Sequence, residues 1–131
     1  MIEFLMVKRA PTPVAPFSHA TACAGWLFVT GQMPTDPKND AAPLPIGIEA
    51  QTRRVIGNLK LVLAGSGSGL DRVVFARIYL THFERDYAAM NAIWQSSFAA
   101  GRLPARTCIG VTGLARGALV EIDLLACRDG G

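Results

Sequence analysis

The sequence predicts one α+β domain spanning residues 1–131, in which two helices pack on one face of a sheet. The chain has 131 residues, a length that suits one domain rather than two. Half of its residues are apolar and 18% are charged, so it can bury a core and is not intrinsically disordered. Helical and strand-like segments follow in the order β-β-α-β-α-β-β, which has too few helices for a doubly wound sheet.

The first third of the chain predicts an extended lead-in followed by a hairpin. Pro11 and Pro13 favour an extended backbone in residues 1–14. Residues 20–32 predict two strands, with Ala24 and Gly25 at the turn and a β-prone second arm over residues 26–30. Residues 33–47 contain four prolines and predict a surface loop that is long enough to border a site.

Two later segments have the apolar spacing of amphipathic helices. The first runs from Ile48 to Leu63 and ends at Gly65. The glycine-rich residues 65–69 follow a helix and precede a strand, which is the reverse of a phosphate-binding loop, so we interpret them as a connector. The second helix is predicted over residues 84–99 and is closed by Gly101. Further strands are predicted over residues 72–80, 105–111 and 118–126.

Composition and charge exclude several classes of protein. The formal net charge is +3 and the basic residues are scattered, with no run longer than the pairs Lys8-Arg9 and Arg53-Arg54, so nucleic acid is an unexpected partner. The sequence contains no tract of 18 apolar residues, so no membrane span is predicted. The apolar run over residues 4–7 precedes two basic residues, the reverse of a secretory signal. Three cysteines without a CxxC pair indicate reduced thiols, and together these features predict a cytoplasmic protein.

Three polar residues lie in apolar surroundings and are candidates for a site. Glu121 alternates with apolar residues in the last strand, so it either faces solvent or is buried with a partner. Arg106 opens a strand that we expect beside it, and its guanidinium could pair Glu121, grip a substrate carboxylate, or simply be a surface charge. Asn91 lies on the apolar stripe of the second helix, where a helix-to-helix hydrogen bond is the plain alternative. His19 and His82 lack metal-ligand spacing, so no metal is expected.

Six motifs in order give the chain a resemblance to a known family. The segments Ala-Pro-Phe-Ser-His-Ala at residues 15–20 and Leu-Phe-Val-Thr-Gly-Gln-Met-Pro at residues 27–34 resemble the opening of the reactive-intermediate deaminase (RidA/YjgF) family. Gln51-Thr52 with Asn58-Leu59, and Asp86-Tyr87 with Met90-Asn91, resemble its two helices. Residues 104–108, Pro-Ala-Arg-Thr-Cys, resemble its Pro-Ala-Arg signature, and Val120-Glu121-Ile122 resembles its closing strand. The resemblance extends from about residue 15 to residue 126.

The resemblance implies a chorismate-mutase-like fold and a homotrimer with clefts between subunits. It also implies hydrolysis of reactive enamines and imines of the 2-aminoacrylate type to 2-oxo acids and ammonia, without metal or organic cofactor. Arg106 would hold the substrate carboxylate with help from the backbone of Gly31, and Glu121 would orient or activate the attacking water. The hydroxyl of Thr30 would stand where the family usually has serine. Asn91 and Cys108 match positions that line the pocket.

One departure from the family pattern keeps other functions open. Phe17 stands where family deaminases commonly have tyrosine, so its ring can wall the pocket but the hydroxyl is missing. A trimeric small-molecule-binding or chaperone-like protein that kept the pocket without the chemistry is therefore the main alternative. Ribonuclease activity, which some relatives have been assigned, is a weaker alternative because the sequence lacks paired catalytic histidines and a basic stripe.

Overall fold

The computed structural model describes residues 1–128 and has an α+β fold with a six-stranded sheet and two helices. The strands are β1 Glu3–Leu5, β2 Ala20–Cys23, β3 Trp26–Gln32, β4 Val73–Leu80, β5 Ala105–Gly110 and β6 Val120–Cys127. The helices are α1 Ile48–Gly65 and α2 Phe83–Ser96. Short 3-10 turns at Leu70–Arg72 and Ala115–Gly117 precede β4 and β6.

The strand order in the sheet is β1-β2-β3-β6-β4-β5. All neighbouring strands are antiparallel except β4 and β5, which run parallel because α2 carries the chain back across the sheet between them. The last strand, β6, lies in the centre between β3 and β4. Its central position makes one face of β6 part of the core and leaves the other face to residues such as Glu121 and Asp123.

Both helices cover the same face of the sheet, as the sequence predicts. Buried residues alternate along the central strands, which is the period-two pattern of a strand with one covered face. They form one cluster with the apolar stripes of α1 and α2; among its members are Leu27, Val29, Val55, Leu59, Ile78, Leu80, Met90, Trp94, Val120 and Ile122. Among residues 1–128 no helix lies over the opposite face, and Phe28 there is half exposed.

The structure corrects three details of the predicted elements. The lead-in is not simply extended, because Glu3–Leu5 pairs with β2 as an additional strand. Three residues are too few to show a strand period, so only the pairing with a distant segment defines β1. The second helix ends at Ser96 rather than Ala99, and Ser97 caps it with a backbone hydrogen bond to Trp94. Gly101 therefore lies in the following turn and does not close the helix.

The predicted surface loop over residues 33–47 is confirmed, and two side chains fix its position. The amide of Asn58, buried in α1, donates to the carbonyls of Met33 and Thr35 at 2.9 and 2.8 Å. Arg116 donates to the carbonyls of Asp40 and Ala42 at 2.9 and 3.0 Å. In the described part of the chain, neither helix has the length and apolar character that crossing a membrane requires.

Candidate functional site

A bulge in β3 sets the position of Thr30 and Gly31. Val29 pairs with Leu124 and Gln32 pairs with Ile122, so the two residues between them on β3 lie opposite one residue of β6. Such a bulge redirects the strand and is common beside active sites. Gly31 consequently lies so close to Glu121 that a Cβ atom built on it would overlap the Glu121 carboxylate. The absence of a side chain at residue 31 is what leaves room for the carboxylate.

Glu121 is a half-buried carboxylate without a compensating charge. No hydrogen bond or ion pair joins its side chain to another residue in the part of the chain that the structure describes. Burial raises the pKa of Glu121, and the nearby negative charge of Asp123 raises it further. A carboxyl group whose pKa is moved towards neutrality is suited to accept a proton and return it during a reaction.

Asp123 binds the arginine that projects from the neighbouring strand β4 on the same face as Glu121. The Nε atom of Arg77 donates to Oδ1 of Asp123 at 2.8 Å, and the hydroxyl of Tyr79 donates to Oδ2 at 2.8 Å. Burial and the interaction with Asp123 raise the pKa of Tyr79, so its hydroxyl remains a donor. Both carboxylate oxygens of Asp123 thus accept hydrogen bonds, and the Arg77 guanidinium pairs with Asp123 rather than with Glu121.

Phe17 borders two depressions on the surface near the bulge. Gly31 lines both depressions, while Thr30 lines one of them, so these residues form a single region with Phe17. His19 fixes the chain that precedes the bulge: its Nδ1 accepts from the backbone N–H of Val7 at 2.8 Å, and its Nε2 contacts the carbonyl of Pro11 at 2.7 Å. We call Phe17, Thr30, Gly31 and Glu121 the Glu121 group.

Arg106 lies beside α2 and contacts Tyr87, which is one of two stacked aromatic residues on that helix. Its guanidinium carbon is 5.9 Å from the ring centroid of Tyr87, and its Nη2 donates to the Tyr87 hydroxyl at 3.3 Å. The Tyr87 ring is in turn stacked on Phe83, with the ring centroids 4.7 Å apart. Arg106 is partly exposed and no carboxylate pairs with it among the described residues, so most of its donors are unused.

Asn91 and Cys108 accompany Arg106 on the same side of the sheet. Asn91 is one helical turn beyond Tyr87, and its Oδ1 is buried without a hydrogen-bond partner in residues 1–128. Oδ1 of Asn91 therefore does not form the helix-to-helix hydrogen bond that was the plain alternative for this residue. Cys108 packs against the core, and burial raises the pKa of its thiol. A thiol with a raised pKa stays neutral and is a poor nucleophile, so Cys108 suits a lining role.

We call Arg106, Tyr87, Asn91 and Cys108 the Arg106 group. Within one chain this group does not lie beside Glu121. Arg106 pairs with Ala76 of β4, a core residue, whereas Glu121 pairs with Tyr79 of the same strand. Because Ala76 and Tyr79 are three residues apart, Arg106 and Glu121 lie on opposite faces of the sheet. The expectation that Arg106 is on the strand beside Glu121 and could pair it within the chain is therefore wrong: β4 lies between β5 and β6.

The two groups are also separated across the sheet. Two strands, β6 and β4, lie between Gly31 on β3 and Arg106 on β5, which corresponds to roughly 14 Å at the usual strand spacing.

Tyr87 is the residue near Arg106 that the sequence did not single out as part of a site. The signal was available, since Tyr87 precedes Asn91 by four residues and therefore shares its helix face.

No metal centre is evident from the titratable residues. Among residues 1–128 no group of three or more His, Cys, Asp or Glu side chains could hold a metal ion. Both ring nitrogens of His19 are occupied by backbone groups, which removes this side chain as a ligand. That the site works without metal or cofactor stays a prediction.

Comparisons with known proteins show the family. The profile of the family described as Endoribonuclease L-PSP matches residues 7–128. The chain is 36% identical over 125 residues to a RutC family protein of Synechocystis, covering 95% of both. It is 34% identical over 124 residues to the 3-aminoacrylate deaminase RutC of Acinetobacter baylyi, covering 95% of this chain and 96% of that protein.

A solved structure agrees with these sequence matches. The structure of YyfA from Yersinia pestis, described as a protein of unknown function of the conserved Rid protein family, matches with a TM-score of 0.89 at 32% identity. The match covers 97% of this chain and 99% of that one. The fold, the order of the motifs and the sequence matches agree, and the chain belongs to the Endoribonuclease L-PSP family, which is also called the YjgF/RidA family.

Proposed function

We propose that the protein is a deaminase that hydrolyses reactive 2-imino acids, including those formed from 2-aminoacrylate-type enamines, to 2-oxo acids and ammonia. The observation that carries the proposal is a pair of complementary groups on the two faces of the sheet, each without an oppositely charged partner among the described residues. Arg106 offers a planar fork of donors that matches a carboxylate, and Glu121 offers a half-buried carboxylate with a raised pKa. A 2-imino acid needs both an anion anchor and a proton carrier.

The chemistry requires water and proton transfer only. An enamine first moves a proton from nitrogen to carbon and becomes an imine. Water then adds to the imine carbon: the C–O bond forms, Glu121 accepts a proton from the water, and the C=N π electron pair goes to nitrogen, which takes that proton from Glu121 to give the carbinolamine. The C–N bond of the carbinolamine then breaks, and the hydroxyl proton passes to the departing nitrogen as the carbonyl forms, so that ammonia leaves and Glu121 is again ionised. Arg106 holds the carboxylate so that the imine carbon is fixed beside the water.

The opposite placement of the two groups leads us to include a second copy of the chain in the site. In a homotrimer with clefts between subunits, the Arg106 group of one subunit would face the Glu121 group of the next. The half-exposed Phe28 on the sheet face without helices supports burial of that face against another copy. Asn91 would line the cleft beside Arg106, while Thr30 and the Gly31 backbone would add donors.

The comparisons support this proposal through one relative. The RutC protein of Acinetobacter baylyi is named for the deamination of 3-aminoacrylate, an enamine acid. That substrate shares the enamine and the carboxylate of the proposed substrates, with its nitrogen on C3 rather than on C2. The expected cytoplasmic location remains a prediction.

The test is the release of ammonia and 2-oxo acid from 2-iminopropanoate and 2-iminobutanoate generated in the assay by an amino acid oxidase. We expect the parent protein to accelerate release of both products and Glu121→Gln to lower kcat by at least tenfold. Glu49→Gln is the matched control, because Glu49 is an exposed carboxylate on α1 and should retain the parent rate. No acceleration by the parent protein over the spontaneous rate would reject the proposal.

The same assay addresses the alternative of a binding protein without chemistry. Phe17, which lacks the hydroxyl of the family tyrosine, is the observation that favours this alternative. A protein of this kind would bind 2-oxo acids but would not accelerate the hydrolysis of the imines in the assay. Degradation of a single-stranded RNA by the parent and not by a Glu121→Gln variant would favour the ribonuclease alternative.

A further inference from the structure

We infer that Tyr87 is part of the anion-binding site and adds a third donor to the two that Arg106 provides. The inference rests on the proposed function, since it identifies a further residue that binds the substrate carboxylate. Nη2 of Arg106 donates to the Tyr87 hydroxyl oxygen at 3.3 Å. That bond uses a lone pair of the hydroxyl oxygen and leaves the phenolic proton free to be donated to another acceptor.

The free phenolic proton lies where an anion bound to Arg106 can accept it. Two N–H groups of a guanidinium bind the two oxygens of a carboxylate, and these oxygens together have about four acceptor positions. A donor adjacent to the guanidinium can therefore bind the same carboxylate without displacing Arg106. Tyr87 is 36% exposed and its hydroxyl hydrogen bond with Arg106 lies at the protein surface, where a ligand can reach the pair.

The surroundings of Tyr87 keep its ring and Arg106 in a fixed relation. The ring is stacked on Phe83 with an interplanar angle of 25°, and the guanidinium carbon lies 5.9 Å from its centroid. A cation at this distance from an aromatic face is attracted to it. The ring thus limits the freedom of Arg106, while the hydroxyl supplies the additional hydrogen bond, and the two contributions can be separated by substitution.

The test compares Tyr87→Phe with the parent in binding and in turnover. The substitution keeps the ring stack and the cation–aromatic contact and removes only the hydroxyl. Calorimetric titration with 2-oxobutanoate, a product of the proposed reaction, is expected to show a Kd raised roughly 10- to 150-fold, which corresponds to one hydrogen bond to a charged group. KM for 2-iminobutanoate should rise by the same factor, kcat should change by less than about twofold, and the melting temperature should stay within about 2 °C of the parent.

A double-substitution cycle with Arg106→Lys distinguishes a shared anion site from two independent effects. Lysine loses the fork and its fixed contact with the Tyr87 hydroxyl, so Tyr87→Phe should weaken binding by less in this background than in the parent. Methyl 2-oxobutanoate, in which the carboxylate is esterified, serves as the ligand control and should not distinguish Tyr87→Phe from the parent.

The outcomes separate failure of this inference from failure of the proposed function. If the parent binds 2-oxobutanoate and hydrolyses imines, and Tyr87→Phe has the same Kd and KM, the inference is overturned and the proposed function stands. Equal weakening of the acid and its methyl ester would also overturn it, because the effect would not concern the carboxylate. If the parent neither binds the acid nor hydrolyses imines, the proposed function fails and the inference fails with it.

Discussion

Replacing Arg106 should separate substrate binding from stability, because its contacts within the chain are few. The residue donates one hydrogen bond of 3.3 Å to Tyr87 and lies over that ring, and neither contact is fully buried. An exposed cation–aromatic contact contributes about 0.5–1 kcal/mol. Arg106→Ala should therefore lower the free energy of unfolding by about 1 kcal/mol or less. It leaves no buried carboxylate without a partner, since Glu121 is on the other face of the sheet.

The expected loss of activity is much larger than this loss of stability. A hydrogen bond to a charged group contributes roughly 1.5–3 kcal/mol, and each 1.36 kcal/mol changes a rate tenfold. Arg106→Lys keeps the charge and loses one prong of the fork, so kcat/KM for 2-iminobutanoate should fall roughly 10- to 150-fold. Arg106→Ala loses both prongs and the charge and should lower kcat/KM by roughly 100-fold or more.

The assay is steady-state kinetics on freshly generated 2-imino acids, with thermal melts of every variant. Arg53→Lys and Arg53→Ala are the matched controls, because Arg53 is an exposed arginine on α1 with only a 4.0 Å ion pair to Glu49. We expect the Arg53 variants to equal the parent in both measurements. Equal kcat/KM for the parent, Arg106→Lys and Arg106→Ala would refute the role of Arg106 as carboxylate anchor and support an ordinary surface charge.

Four further predictions concern the assembly and the Glu121 group. Light scattering of a dilute solution should give about three times the 14.0 kDa chain mass, and a persistent monomer would contradict the shared site. Phe17→Tyr restores a hydroxyl at the edge of the depression and should raise turnover of 2-iminopropanoate if water placement limits the rate; unchanged turnover would argue against that limit. Gly31→Ala should lower kcat by at least tenfold because its Cβ displaces the Glu121 carboxylate, whereas Gly57→Ala, with open space around it, should not. Because the pKa of Glu121 is raised in the folded state, its ionisation destabilises the fold as pH rises; the melting temperature of Glu121→Gln should exceed that of the parent at pH 8, with the difference vanishing towards pH 4.

The elements that the sequence predicts well are those with a local periodicity. The apolar spacing of α1 and the alternation in β6 each identify one buried face without knowledge of the partner element. β1 was missed because its three residues are defined only by pairing with β2. The position of β4 between β6 and β5 was also missed, because the parallel pairing of β4 with β5 depends on how α2 crosses the sheet.

Less of the candidate site than of the fold could be predicted, because the site also depends on contacts between segments that are distant in the sequence. Arg106 and Glu121 were singled out as polar residues in apolar segments, but their roles came from the resemblance to the family rather than from spacing. The bulge that brings Gly31 against Glu121 has no signature in the sequence, since it is a shift in register between β3 and β6. The contact of Arg106 with Tyr87 likewise requires α2 and β5 to be placed side by side.

The separation of Arg106 from Glu121 has a consequence for the way the protein would control its chemistry. If both groups lay on one face of one chain, the guanidinium would pair the carboxylate directly, which would lower the pKa of Glu121 and occupy the donors meant for the substrate. On opposite faces, each group stays unsatisfied: Arg77 is held by Asp123, and burial keeps the pKa of Glu121 raised. In the proposed site between two subunits, the anchor of one copy and the proton carrier of the next would meet across the cleft. The substrate carboxylate would then take the place at Arg106 that Glu121 would otherwise occupy.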